Sequence, residues 1–215
     1  MKKNTIALTA SMVVIMVTCS VFAQENTSTA EVVTTNEDAS WVPFTEGNWP
    51  TTPTLAMFIA VPVAVTIYGT ITWDWGSQKN PHFGDEGFFG KNTYAGGADK
   101  MGHAFSHYVM FRALHNYFDW SENGKSTKWF YSITSASCVG LLIEVGDAFT
   151  GEYGFSYEDM VSDMTGIGLG ILLEYSPTLD SLIGYSWHYW PTERYKDRWK
   201  SKPFNMTTDY DGAKF

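Results

Sequence analysis

The chain has little charge and almost no cysteine. Of its 215 residues only 17% are charged, whereas 16% are aromatic. A chain so composed keeps much of its surface buried or against lipid. Its two cysteines are Cys19 and Cys138. Cleavage of an export leader would leave Cys138 alone, so no internal disulfide can form, although the compartment permits one. Positive charge is scarce too: 14 Lys and Arg stand against 23 Asp and Glu, a net charge of −9. That balance argues against nucleic acid as a partner and against electrostatic docking on anionic lipid. Several catalytic signatures are missing from the sequence. It has no Gly-x-Ser-x-Gly elbow, which weakens a triad drawn from Ser156, His103 and Asp147. It has neither the His-Glu-x-x-His of zincins nor the paired Glu-x-x-His of di-iron bundles. The Gly166, Gly168, Gly170 run lies inside a helical segment and is no dinucleotide loop. There is no internal repeat.

What is present begins with a leader. Lys2 and Lys3 precede an apolar run from Ile6 to Val17, and Val21-Phe22-Ala23 forms a small-residue cleavage pattern before Gln24. Residues 1–23 therefore read as a signal peptide, whose loss carries the net charge from −9 to −11. Lipidation at Cys19 is the lesser alternative, because Met16-Val17-Thr18 is a poor lipobox. Residues 24–53 read as a linker, disordered from Gln24 to about Ala39 and irregular from Trp41 to Pro53.

Residues 54–200 read as one helical domain and 201–215 as an irregular tail. Thr54 to Trp73 passes twenty residues without a charge and ends on Trp73 and Trp75. That suits a membrane span kinked at Pro62, or the buried central helix of a soluble bundle. Ser77 to Gly97 is rich in Gly and Pro and reads as a loop, with His82, Asp85 and Glu86 as solvated side chains. Helices are expected over Asp99–Phe118, Lys128–Phe149 and Tyr157–Tyr175, the last capped by Ser156 and stopped by Pro177. Leu179 to Trp190 is dense in aromatics and suits an interfacial stretch. The expected fold is all-α: a compact bundle of about four helices with a disordered N-terminal tether and an irregular C-terminal tail.

Three of these helices carry polar residues at helical spacing. Asp99, His103 and His107 are four apart, with Lys100 beside them; Glu144 and Asp147 are three apart; Ser156 is followed by Asp159 and Asp163. Each set shares a face, and short turns make the helices antiparallel neighbours. If the faces meet, the buried acids need Lys100, protons, hydrogen bonds or a metal to neutralise them. A divalent metal is one reading, with His103, Glu144 and Asp147 as candidate ligands and His103, Glu144, Asp147 and Asp159 as candidate catalytic groups. The other is a polar core, built from Asp99, Lys100, His107, Ser156 and Asp163 as well, that sets helix register. Cys138, in an apolar helix, reads as inert.

Asp99-Lys100-x-x-His103, Glu144-x-x-Asp147 and Gly154-Phe155-Ser156-x-x-Asp159-x-x-x-Asp163-x-x-Gly166 occur in this order. The series resembles the YfiM-like family of predicted periplasmic lipoproteins over roughly residues 98–170. The closing Asp209-Tyr210-Asp211-Gly212 is similar to a tail motif of its longer members. A wider similarity is to VanZ-like membrane proteins, although an Arg before the serine block is missing and Asp163 stands in place of Asn. The resemblance implies a helical envelope protein without an assigned reaction, and it carries Asp99, Lys100, His103, Glu144, Asp147, Ser156 and Asp159. The expected function is that of an exported, membrane-associated envelope protein with a structural or scaffolding polar core and a lipid or protein partner. The alternative is a metal-dependent hydrolase acting on a lipid or cell-wall substrate.

Overall fold

The computed structural model describes residues 49–91, 93–193 and 210–215. The expected signal peptide, the tether and Cys19 lie outside them. Four long helices dominate: α1 Thr52–Thr72, α2 Ala98–Trp120, α3 Lys125–Asp147 and α4 Tyr157–Tyr175. The all-α expectation holds: α4 has the expected bounds, and the ends of the other three long helices are displaced by one to three residues. Pro177 does more than stop α4, because it opens a short helix, α5, over Pro177–Leu182. A proline suits that first turn, where its missing N–H has no partner to lose. The last residues are not all irregular: β1 (His188–Tyr189) pairs antiparallel with β2 (Ala213–Lys214).

The centre of the bundle is α3, which packs against α1, α2 and α4, while α2 and α4 share the most extensive contact. That contact depends on small residues. A Cβ on Gly166 would lie within 1.9 Å of the Ala104 carbonyl oxygen, and one on Gly170 within 2.6 Å of the Phe111 ring. The absence of side chains there lets the two backbones close together. Trp75 wedges α1 to α3 in the same manner, its indole lying where Gly69 and Gly146 carry no Cβ.

α1 is apolar on its outside. Thr54, Phe58, Pro62, Thr66 and Gly69 face inward. Leu55, Ile59, Val63, Ile67 and Ile71 face outward and are exposed, Ile71 to 69%. Both α1 and α3 are long and apolar enough to cross a membrane, yet only 28% of the α1 window is buried against 50% for α3. Burial at the centre accounts for the apolar character of α3; nothing among the described residues covers the outer stripe of α1.

The loop between α1 and α2 is pinned rather than free. Backbone bonds join Gln78 N to Phe149 O (3.0 Å), His82 N to Ala148 O (3.0 Å) and Gly84 N to Phe155 O (2.9 Å), tying it to the α3–α4 turn. All three helices that carry the polar faces therefore meet this loop at one end of the bundle.

Candidate functional site

α2 begins at that end, α3 finishes there and α4 begins there. Asp99 enters the first turn of α2 and Glu158 and Asp159 the first turn of α4, where carboxylates complement the helix dipole. Ser156 caps α4 as expected, its Oγ accepting from Asp159 N at 3.2 Å.

Lys100 sits at the middle of the cluster, 1% exposed. Its ammonium contacts Glu86 (2.5 Å), Asp99 (2.8 Å) and Asp159 (2.8 Å). Burial works against its charge, but the three carboxylates outweigh burial and raise its pKa. Burial pushes Glu86 up to about 7. Asp99 is also desolvated, yet His103 and Lys100 hold it below its usual range.

The second layer is a pair of imidazoles on one carboxylate. His103 Nδ1 donates to Asp163 Oδ1 at 2.9 Å, and His107 Nδ1 lies 2.7 Å from the same oxygen. The rings are near parallel, with centroids 6.5 Å apart. Burial opposes ionisation of both partners, but the mutual bond wins: Asp163 is held low and His103 well above its ordinary value. His103 Nε2 is left pointing at Asp99 Oδ1 and Asp159 Oδ1, 4.0 and 3.9 Å away, too far for a direct hydrogen bond. Gly140 opens the room behind this layer, since a Cβ there would come within 2.7 Å of Asp163 Oδ2 and 3.1 Å of His107 Nε2.

The acids of α3 diverge. Glu144 Oε2 accepts from Ser156 N at 2.8 Å, at the start of α4, and burial pushes its pKa up to about 9. Asp147 accepts from Trp75 Nε1 at 2.6 Å and burial lifts it to about 7. Asp147 faces a cavity of about 500 Å³ together with Asp99, His103, His107 and Asp159, and Glu144 is not part of its lining. Of the candidate ligands only His103 lies in a close group: Asp99, His103 and Asp159 present ligand atoms within 4.8 Å of one another, as do His103, His107 and Asp163.

Two members of the site were not foreseen. Glu86, taken for a solvated loop residue, is drawn in by the pinned loop to meet Lys100. Tyr210 in the tail donates its hydroxyl to Asp99 Oδ1; its only sequence signal is the closing Asp-Tyr-Asp-Gly.

Residues 85–175 match the profile of a family described as predicted periplasmic lipoprotein (DUF2279). The protein belongs to the periplasm or the cell envelope. The matched stretch covers less than half of the chain, but it contains Glu86 and the three helices of the polar cluster; α1 and Tyr210 lie outside it. No curated protein and no solved structure matches the chain.

Proposed function

We propose that the protein is a membrane-associated hydrolase of the cell envelope, with a divalent cation held by Asp99, His103 and Asp159 at the polar end of the cavity. The observation that carries this reading is the convergence of those three ligand sets, within 4.8 Å of one another, on an open space of about 500 Å³. Charge accounting favours the cation as well. Glu86, Asp99, Asp159 and Asp163 face Lys100 and His103; a ligating His103 gives up its Nε2 proton and its charge, and the buried negative charge then in excess calls for a counterion. Imidazole with carboxylates suits Zn, Mn or Fe.

A cation so placed supplies Lewis-acid polarisation and lowers the pKa of water. Asp147, with a pKa near 7, is matched to general acid–base work. It accepts the proton of the attacking water as the water oxygen bonds to the ester centre, and returns it to the alkoxide released when the ester bond breaks. Asp163 holds the His103 ring by its Nδ1–H, which aims Nε2 at the cavity. The outer stripe of α1 supports membrane association, as does the likeness of the ordered blocks to YfiM-like and VanZ-like proteins. Export by residues 1–23, with Gln24 as the mature N-terminus, belongs to the same reading; a lipidated Cys19 found by mass spectrometry would replace it.

Elemental analysis of the purified full chain tests the site. After loading with Zn or Mn, about one ion per chain is expected, lost in both His103→Ala and Asp159→Asn. Retention of no ion by the wild type, or equal retention by the variants, would overturn it.

A further inference from the structure

The cavity is divided into an apolar and a polar part. Ala64, Val65 and Tyr68 of α1, Phe105 and Met110 of α2 and Ile143 of α3 form its apolar walls. Glu86, Asp99, Asp147 and Asp159 gather at its polar end. Its size, about 500 Å³, falls within the roughly 300–1,000 Å³ of small-molecule sites. A glycan or a peptide needs donors and acceptors along its length, and these walls offer few. An acyl chain needs none.

One helix joins this space to the outer surface. α1 lines the cavity with Ala64, Val65 and Tyr68, of which Ala64 and Tyr68 are exposed, and presents Leu55, Ile59, Val63, Ile67 and Ile71 on the adjoining face. A chain lying against Ala64, Val65 and Tyr68 therefore sits beside whatever apolar phase covers that stripe. With a cation on Asp99, His103 and Asp159, Glu86 and Asp147 are the carboxylates of the lining left to face a ligand, so its head carries positive charge towards them. Over the head lies the tail, where Trp187 and Phe215 stack with an interplanar angle of 12° and Tyr210 bonds Asp99.

We infer that the cavity binds a membrane phospholipid with an ammonium-bearing head, its acyl chain between α1 and α2 and its ammonium towards Glu86 and Asp147. This names the substrate class of the proposed hydrolase and rests on that reading, but lipid binding is measured apart from metal and from turnover.

The test is native mass spectrometry of the full chain purified in detergent and exposed to phosphatidylethanolamine or phosphatidylglycerol. One phosphatidylethanolamine per chain is expected, with phosphatidylglycerol held about tenfold more weakly. Ala64→Trp fills the cavity from an exposed position of α1 and is expected to lower lipid occupancy about tenfold with metal content unchanged. Ile67→Trp, on the outer face, is expected to keep the lipid, which controls for damage to α1. Equal binding of the two lipids overturns the head-group assignment, and unchanged occupancy in Ala64→Trp overturns the cavity as the site. Loss of metal in His103→Ala with lipid retained counts against neither.

Discussion

Where α1 begins and α2 finishes, Phe58, Leu114, Phe118 and Tyr131 fill the interior. Several buried polar groups there satisfy one another: Thr54 bonds Ser121 at 3.0 Å, and Asn123 donates to Thr54 at 2.6 Å, while His115 Nδ1 has no hydrogen-bond partner among the described residues. Where α1 finishes and α2 begins, the interior holds Asp99, Lys100, His107, Glu144, Glu158, Asp159 and Asp163. Among the described residues, His107 Nε2, Glu144 Oε1 and Asp163 Oδ2 have no hydrogen-bond partner. The first end is arranged for stability. The second holds desolvated charge and empty space at the cost of stability, and a fold retains such an arrangement at places where chemistry or binding needs it.

The largest effect that separates the two ends is expected from Lys100→Met. It removes the one cation that touches Glu86, Asp99 and Asp159. Breaking a buried pair from one side costs about 3–5 kcal/mol, which chemical denaturation of the purified chain would read. A cost as small as that of an exposed residue would show that the polar end is not organised around this charge.

Gly166→Ala tests the seam that both ends share. The added methyl meets the Ala104 carbonyl, and overpacking of this kind costs about 1–3 kcal/mol. An unchanged melting temperature would mean that α2 and α4 can part without loss.

Glu144→Gln distinguishes the ends by pH. Burial raises the Glu144 carboxyl from 4.5 to about 9. An acid raised by folding contributes most below its unfolded pKa and loses that contribution as pH climbs towards the folded value. The melting temperature of the wild type should therefore fall relative to the variant from about pH 4.5 to 9, the gap widening throughout. A gap that stays constant with pH would contradict the buried, protonated state.

The smallest effect is expected at the other end. Lys128 bonds Asp119 at 2.6 Å, but Asp119 is 66% exposed. Lys128→Ala should cost about 0–1 kcal/mol and should lose even that in high salt. A larger value would erase the contrast between exposed and buried pairs on which the comparison stands.

Much of this was legible in one dimension. Asp99, His103 and His107 recur at a helical interval, and the helix puts them on one face whatever packs against it. Ser156 announces its cap, and Gly166 and Gly170 announce a close approach that the structure places against α2. The mutual roles of the acids were not legible. Glu144 and Asp147 share a face by spacing, yet Glu144 accepts from the start of α4, whereas Asp147 accepts from Trp75 and lines the cavity. His107 shares the α2 face by spacing, but that it and His103 meet the same oxygen of Asp163 is set by how α4 packs on α2. Glu86 gave no signal at all, since its place follows from loop bonds to residues of the α3–α4 turn.

The amino-acid sequence by itself determined the helices, their caps, the small-residue seams and which side chains share a helical face. Those properties depend on neighbours within a turn or two of the chain. Only the tertiary structure decided which faces meet. His103 and Asp163 are 60 positions apart, and Tyr210 and Asp99 are 111 apart. Contacts at such separations are set by packing of whole helices and by the pinned loop, not by local periodicity. The same holds for α1: its apolar run is plain in the sequence, but that its flank at Ala64, Val65 and Tyr68 lines a cavity and its outer face stands uncovered among the described residues follows from α3 having taken the centre of the bundle.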